Sequence, residues 1–311
     1  MNALSARLEE YLKLRRQLGF KLRLAGGLLR RFVRFAQEKK ASVITTKLAL
    51  EWATQPADCQ PCQWANRLGM VRRLAQFLSA LDPRTEVPPP GLLPHRYQRK
   101  PPYLYRDKEV RRLIRTAREL DSPRHLRGAT ASTLFGLLAA TGMRVGEALS
   151  LDRQDVNLEQ ALLTVRHAKG DRSRLVPLHP STRNALRRYE RLRDQICPHP
   201  ASPSFFISEQ GSRLIDCTVR YWFIRVSHQT GLRQPTDRRS PRLHDLRHRF
   251  SIKTLLHWYR TDRDIETHLP ELATYLGHRH VADTYWYLSA TPELLQLATR
   301  RWVRGKGGTL S

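Results

Sequence analysis

Acidic side chains are scarce in this sequence: 28 Asp and Glu stand against 55 Lys and Arg, a formal charge of +27 over 311 residues. Such a chain repels itself at close range unless a polyanion is its partner, which points first to nucleic acid. An anionic membrane surface is the competing partner. The basic residues, however, run along the whole chain and are not gathered into one amphipathic helix or tail, so no membrane partner is expected. Cysteine is also rare, and the four present, Cys59, Cys62, Cys197 and Cys217, are too few for a disulfide scaffold in a chain of this size. Cys59-Gln-Pro-Cys62 has zinc-ligand spacing, but no second close pair follows it, and no metal site is expected. Long apolar runs are missing as well. Ala129 to Val145, the longest weakly polar stretch, is broken by Ser132, Thr133, Gly136, Thr141, Gly142 and Arg144 and is too short to cross a bilayer, so it is read as a buried helix. Met1 to Glu10 carries Arg7, Glu9 and Glu10 where an export signal needs an apolar core, and the expected location is the cytoplasm, with the nucleoid. Neither a glycine-rich phosphate loop nor an acidic cluster placed for two magnesium ions is present, and no cofactor is expected.

The first part of the chain is helical. Leu4, Leu8, Tyr11, Leu12 and Leu18 follow the spacing of an amphipathic helix that stops near Gly19. Leu24, Leu28, Phe32 and Phe35 predict the apolar stripe of a second helix, with Arg23, Arg30, Arg31 and Arg34 around it. Thr45-Thr46 can cap a third helix through Trp52, and Trp64 to Leu81 reads as a fourth with Leu68, Val71, Leu74, Ala75 and Leu78 inward. This is a helical domain over 1–82, whose arginines are expected to touch phosphates, Arg30, Arg31 and Arg34 among them. Seven prolines then crowd Leu81 to Pro102, which also carries His95, Arg96, Arg99 and Lys100. It is read as a semi-extended basic linker over 83–102, with Arg96, Arg99 and Lys100 tracking a nucleic-acid backbone.

The remainder, 103–311, predicts further helices and one strand pair, a mainly α fold with a small β-hairpin (α+β). Asp107 to Leu120 is expected as a helix capped by the aspartate. In Ala140-Thr-Gly-Met-Arg-Val-Gly-Glu147, Thr141-Gly142 breaks one helix and Arg144 opens the next, where backbone N–H groups favour an anion. Glu147 lies one turn on, and the two are read either as a surface ion pair or with Arg144 as a phosphate ligand. Ala161 to His167 and Arg172 to Leu178 predict the hairpin, with Lys169 at its turn. Between Lys108 and Lys306 the only other lysine is Lys253, so Lys169 is either a solvated turn residue or one wanted for a proton that arginine cannot release. Ser181 to Gln195 reads as a structural helix with Leu186, Tyr189 and Leu192 inward and many arginines outward. In Arg242-Leu-His-Asp-Leu-Arg-His-Arg-Phe250, His244 and Arg247 share one helix face, pairing a guanidinium fork with a group that moves protons near neutrality. Tyr-Leu-Gly-His278 follows, and Tyr287 lies nine residues after that histidine.

These ordered motifs, across residues 103–303, resemble the tyrosine recombinases, also called phage-type integrases. The segments that carry the resemblance are Thr-Gly-Met-Arg-Val-Gly-Glu around Arg144, Lys-Gly-Asp-Arg-Ser-Arg-Leu-Val-Pro-Leu from Lys169, His-Asp-Leu-Arg-His from His244, Leu-Gly-His at His278, and Tyr287. The resemblance implies a core-binding N-terminal domain and a catalytic domain that clamp DNA. It implies a site-specific recombinase that needs neither metal nor ATP. Tyr287 would attack to leave a 3′-phosphotyrosyl enzyme, Arg144 and Arg247 would hold the nonbridging oxygens, and His278 would donate a further hydrogen bond. Lys169 would protonate the leaving 5′ oxygen, His244 would assist the tyrosine proton, and Glu147 would support the site. Tyr285 is the competing nucleophile. It and Tyr287 face opposite ways on a helix, so the two cannot share the role.

The family works as a tetramer on two synapsed DNA sites, with accessory recombinases or DNA-bending proteins as further partners, and in many cases serves a mobile element. Pro292 to Val303 is expected as a helix that docks either on a neighbouring subunit or on its own domain. A type IB topoisomerase, which uses a similar residue set, and a non-catalytic DNA-binding protein are the alternatives.

Overall fold

The computed structural model describes residues 3–94, 102–168, 172–234, 236–237, 240–278, 280–289 and 291–306. The chain divides into two compact units, Met1–Lys100 and Pro101–Ser311. Among the described residues it is mainly helical with one small sheet, the class expected from the periodicity. Among the described residues no helix is long and apolar enough to cross a membrane.

The first unit packs four helices, α1 (Ala3–Gln17), α2 (Arg23–Glu38), α3 (Thr46–Thr54) and α4 (Pro61–Ser79). Their core is built from Leu8, Leu12, Leu29, Phe32, Trp52, Leu68, Val71 and Leu74, and Phe32 meets Trp52 edge-on at 5.3 Å. The Thr45 hydroxyl caps α3 by accepting from the Leu48 N–H at 3.2 Å. Two residues expected in the apolar stripes are outside. Leu18 follows the end of α1, where Gly19 turns at φ +86°, and is 63% exposed; Leu24 lies in the first turn of α2 and is 73% exposed, while Leu29 takes an inner place. The stretch from Pro83 is irregular, but its first part is pinned to the bundle. Arg72 donates to the carbonyls of Pro88 and Pro89 at 2.6 and 2.7 Å. The Glu86 carboxylate accepts from the Thr46 N–H at 2.8 Å, so this proline-rich run is held by backbone groups that face no strand or helix partner. Arg96, Arg99 and Lys100 lie outside the described residues.

The second unit begins with α5 (Asp107–Arg118), α6 (Leu126–Thr141) and α7 (Val145–Ser150). A three-stranded antiparallel sheet follows, of β1 (Val156–Asn157), β2 (Leu162–Ala168) and β3 (Arg172–Pro177), in that order. The hairpin stands where the residue pattern predicts it; β1, two residues long, carries no periodicity to read. Next come α8 (Pro180–Ile196), α9 (Asp216–Gln229), α10 (Asp245–Arg260), α11 (Ile265–Leu276), the short α12 (Ala282–Tyr285), a 3-10 turn (Trp286–Ser289) and α13 (Pro292–Lys306). Helix α6 is apolar nearly all round and forms the centre of the core, with Leu134, Phe135, Leu137 and Leu138 buried and Phe135 edge-on to Phe223. Asp107 is not the cap of α5: the cap position is Arg106, whose N–H donates to the Glu109 carboxylate at 2.7 Å, and Asp107 binds Arg249 and Lys253 instead. Nor do all arginines of α8 face outward. Arg193 is fully buried, donating to the Phe205 carbonyl at 2.9 Å and to Asp194 at 2.8 Å, because the Ser204–Ile207 loop needs a donor where no strand supplies one.

A second cluster in this unit joins α10, α11 and α13 through Ile252, Leu255, Leu269, Leu272, Leu276 and Leu294. Helix α13 thus packs on its own unit through the buried Leu294, aided by the Arg260–Glu293 ion pair at 2.6 Å, while Leu295 is exposed. Phe32→Ala is expected to destabilise the first unit by about 3–5 kcal/mol, the usual cost of emptying a fully buried phenylalanine site. Denaturant unfolding of the full chain followed by circular dichroism measures it; an unchanged transition would mean that Phe32 is not the centre of that core.

Candidate active site

The site is assembled around the C-terminus of α11. Gly277 takes the left-handed conformation at φ +68°, and its N–H and that of His278 donate to the Thr274 and Ala273 carbonyls, both at 2.9 Å. That turn leaves the next carbonyls, of Tyr275, Leu276 and Gly277, free to accept other donors, at the negative end of the helix dipole. Three arginines occupy them. Arg174 on β3 donates through Nε to the Tyr275 carbonyl at 2.7 Å. Arg247 on α10 donates through Nη2 to the Leu276 carbonyl at 2.7 Å and through Nη1 to the Gly142 carbonyl at 2.9 Å. Arg144 reaches the Leu276 and Gly277 carbonyls by longer bonds of 3.4 and 3.2 Å.

Gly142 has to be bare for this to happen. It ends α6 at φ +63°, and a Cβ there would stand 2.6 Å from Cδ1 of Phe250, so only glycine lets α10 close on the end of α6. Arg144 caps α7, and Glu147 in the first turn accepts from the Arg144 N–H at 3.0 Å and from its Nη1 at 2.7 Å. Glu147 is only 8% exposed, so this is no surface ion pair. Its other bonds come from Arg174, whose Nη2 and Nη1 reach the two carboxylate oxygens at 2.7 and 3.2 Å. Burial alone would raise the Glu147 pKa, but the hydrogen bonds and charge of Arg174, with the Arg144 donors, outweigh it and hold the carboxyl below its usual range.

Arg247 is 2% exposed, and burial, with Arg144 alongside, lowers its pKa to about 10. Tyr287 lies within electrostatic reach and in its ionised form would support the Arg247 charge. His244, at the start of α10, is exposed at its outer face, yet partial desolvation by its neighbours and the charge of Arg247 lower its pKa from the ordinary value. His278 is pushed down to about 4 by burial and by Arg247 and Arg144, and its Nδ1 shares a 2.6 Å hydrogen bond with the Thr284 hydroxyl. Tyr287 is 3% exposed and stacks on His278 with ring centroids 6.2 Å apart and planes 15° from parallel. Tyr285, by contrast, is 53% exposed. Tyr275 stacks on Phe250 and is pushed up to about 12 by burial, which suits packing rather than attack.

The structure therefore brings Arg144, Glu147, His244, Arg247, His278 and Tyr287 into one neighbourhood. Lys169 lies outside the described residues. In the first unit, Arg30 is occupied by a two-pronged pairing with Glu9 at 2.7 and 2.8 Å, whereas Arg31 and Arg34 are exposed and line a cavity of about 360 Å³ with Arg67 and Trp52. Two residues here had no role from sequence. Arg174 lies inside the hairpin motif, one strand residue before the exposed Leu175, and only its register opposite Val165 would have marked it as facing inward. His248 packs against Trp286 and Tyr287, with centroids at 5.2 and 5.6 Å, and its place in the His-Asp-Leu-Arg-His motif carries no signal for this contact. Among the described residues no three His, Cys, Asp or Glu side chains converge as metal ligands.

Residues 104–293 match the model of the phage integrase family. The protein y4rB of Sinorhizobium fredii, an integrase/recombinase by name, is 46% identical over 308 residues, which cover 98% of each chain. Tyrosine recombinase XerD of Staphylococcus epidermidis is 28% identical over 230 residues, 72% of this chain and 70% of its own. Among solved structures, the Tn1549 transposon integrase in complex with transposon right end DNA has a TM-score of 0.65 at 14% identity, covering 97% of this chain and 99% of that one. A lambda integrase tetramer bound to a Holliday junction has a TM-score of 0.62 at 16% identity, covering 91% and 76%. At such identities the solved structures speak for the fold alone.

Gly277→Ala is expected to cost about 1–2 kcal/mol from the left-handed backbone. The strain is added to by Arg174, whose Nη1 lies 2.8 Å from the new Cβ. Thermal unfolding measures it, and an unchanged midpoint would deny that this turn is under constraint. A depressed histidine pKa also sets a sign. The unfolded chain takes up His278 protons from about pH 6.5 and the folded chain only near pH 4, so stability is intact above pH 6.5 and lost as pH falls toward 4. His278→Gln should flatten that slope, and equal slopes in parent and variant would refute the depressed value.

Proposed function

The chain belongs to the phage integrase family, the tyrosine recombinases, and on that premise we propose that it is a site-specific DNA recombinase working through a covalent tyrosine–DNA intermediate. The observation that carries this reading is the convergence of Arg144 and Arg247 on one carbonyl, Leu276, beside a buried Tyr287 stacked on His278. Two guanidinium forks aimed at one acceptor suit the two nonbridging oxygens of a phosphodiester, because both bind planar anions with paired N–H groups.

The reaction proposed is an in-line displacement at phosphorus. The Tyr287 oxygen forms a bond to phosphorus, the bond to the 5′ oxygen breaks, and a 3′-phosphotyrosine and a 5′-hydroxyl result. His244, whose pKa is lowered by partial desolvation and by the neighbouring Arg247, accepts the phenol proton. Lys169 is assigned the proton for the leaving 5′ oxygen. His278, neutral over the same range, donates from Nε2 to a nonbridging oxygen in the tautomer where Thr284 donates to Nδ1. Arg144 and Arg247 balance charge as it develops on the phosphate. The new phosphodiester keeps the bond energy of the old one, so a 5′-hydroxyl from another strand reverses the step without ATP.

The first unit is assigned the core-binding role, with Arg31 and Arg34 as phosphate contacts. Assembly as a tetramer on two DNA sites and service to a mobile element belong to the same proposal; the named relatives and neighbours, a transposon integrase and a lambda integrase on a junction among them, support it. The test uses a nicked duplex cut from the DNA that flanks the protein's own gene, on which binding has first been seen by gel shift. On a denaturing gel the parent protein is expected to give a 3′-linked covalent band, and Tyr287→Phe to give none while still binding. A band that survives in Tyr287→Phe would move the nucleophile to Tyr285; no band from the parent on bound DNA would reject the recombinase reading.

A further inference from the structure

Arg174 is the one member of the arginine cluster to which the reaction above gives no task. Its placement is specific. The guanidinium fork meets both oxygens of Glu147, Nε binds the Tyr275 carbonyl at 2.7 Å, and the group closes against Gly277, where a Cβ would stand 2.8 Å from Nη1. The side chain is 10% exposed, so its guanidinium is surrounded by these partners more than by water. Glu147 has room for one tight guanidinium fork. With Arg174 in that position, Arg144 is left with a single Nη1 contact to the carboxylate at 2.7 Å and with Nη2 directed at the Gly277 carbonyl by a longer bond of 3.2 Å.

We propose that Arg174 is a positioning residue for strand cleavage: by taking both oxygens of Glu147 it limits the Arg144 guanidinium to one contact with that carboxylate and keeps it turned, with Arg247, toward a scissile phosphate. The inference rests on the recombinase reading. Its electrostatic content is simple. Arg144, Arg174 and Arg247 face the single carboxylate of Glu147, an excess of two positive charges in this cluster. A phosphodiester carries one negative charge, and attack by a tyrosinate oxygen adds a second to the phosphoryl group on the way to the transition state. Without Arg174 the cluster has only one positive charge in excess, and Glu147 is free to draw Arg144 into the fork. Ground-state DNA binding, which depends on many phosphates, would change little, while the transition state would lose its match.

The experiment compares single-turnover cleavage by the parent, Arg174→Gln and Arg174→Lys at saturating DNA. Two nicked duplexes from the DNA flanking the gene are used, one with an ordinary scissile phosphodiester and one with a neutral methylphosphonate there. Arg174→Gln is expected to slow phosphodiester cleavage about 100-fold and methylphosphonate cleavage less than about 10-fold, since the second substrate has lost the charge that the cluster balances. Equal slowing on both substrates would mean a merely structural arginine and would overturn the inference, as would a parent-like rate on the phosphodiester. If melting shows that Arg174→Gln does not fold, the same ratio is read on Arg174→Lys. That variant keeps a charge beside Glu147 but not the fork, and it too should lose more on the phosphodiester than on the methylphosphonate. No covalent product from the parent on the phosphodiester rejects the recombinase reading, and this inference with it.

Discussion

Three guanidinium groups do not gather in a protein interior unaided. Their mutual repulsion and the loss of water each oppose it, by several kcal/mol in order of magnitude when the groups are buried. Here the opposing force is the exposed carbonyl end of α11 together with one buried carboxylate. The Tyr275, Leu276 and Gly277 carbonyls each take at least one arginine N–H, and Glu147 accepts from two of the same three arginines, Arg144 and Arg174. Everything else in the second unit can be seen as bringing donors to that point. Gly142 lets α10 approach α6, α7 begins at Arg144, and β3 carries Arg174 across from the sheet.

The same arrangement explains why the Leu-Gly-His motif has its leucine and glycine as well as its histidine. Leu276 is buried at 1% exposure and anchors the last turn in the cluster of α10, α11 and α13. Gly277 reverses the backbone at positive φ so that the carbonyls before it point at the arginines and His278 swings toward Tyr287. Thr284 on α12 then fixes the imidazole through Nδ1. A partly buried histidine in such cationic surroundings, its pKa pushed down to about 4, is neutral near pH 7, so it adds a hydrogen-bond donor without adding a further charge to the crowd.

How much of this was legible in the sequence depended on the kind of signal. Arg144, Arg247, His278 and Tyr287 stand in motifs with distinctive neighbours, and the helices of both units follow from apolar spacing at Leu68, Val71, Leu74 and Leu78 or along α6. What periodicity cannot supply is where a helix stops meeting its neighbours. Leu18 and Leu24 fit their stripes and are exposed because the α1–α2 turn carries them past the bundle. Nor does charge announce burial: Arg193 and Arg174 look like solvent-facing arginines in an arginine-rich chain. Each is buried because a distant backbone carbonyl, of Phe205 or Tyr275, lacks another donor. Such partners, 12 and 101 residues away, are properties of the fold and not of the local sequence.

The lengths of the arginine bonds carry the argument one step further. Arg247 and Arg174 are tied to carbonyls at 2.7 Å, whereas Arg144 holds its two at 3.2 and 3.4 Å. Long N–H···O contacts are weak, and an anionic oxygen is a better acceptor than a peptide carbonyl. In the recombinase reading, a phosphate arriving at this end of α11 would replace the weak Arg144 contacts and leave the short ones standing. Two arginines then form the frame, and Arg144 is the arm that changes partners. Because its side chain is already only 28% exposed and already against a substitute acceptor, the exchange costs less desolvation than recruiting a fully solvated side chain would. Preorganisation in this site is thus a matter of which hydrogen bonds are short, and Glu147, which takes the fork of Arg174 and a single side-chain bond from Arg144, leaves Arg144 with the long carbonyl contacts.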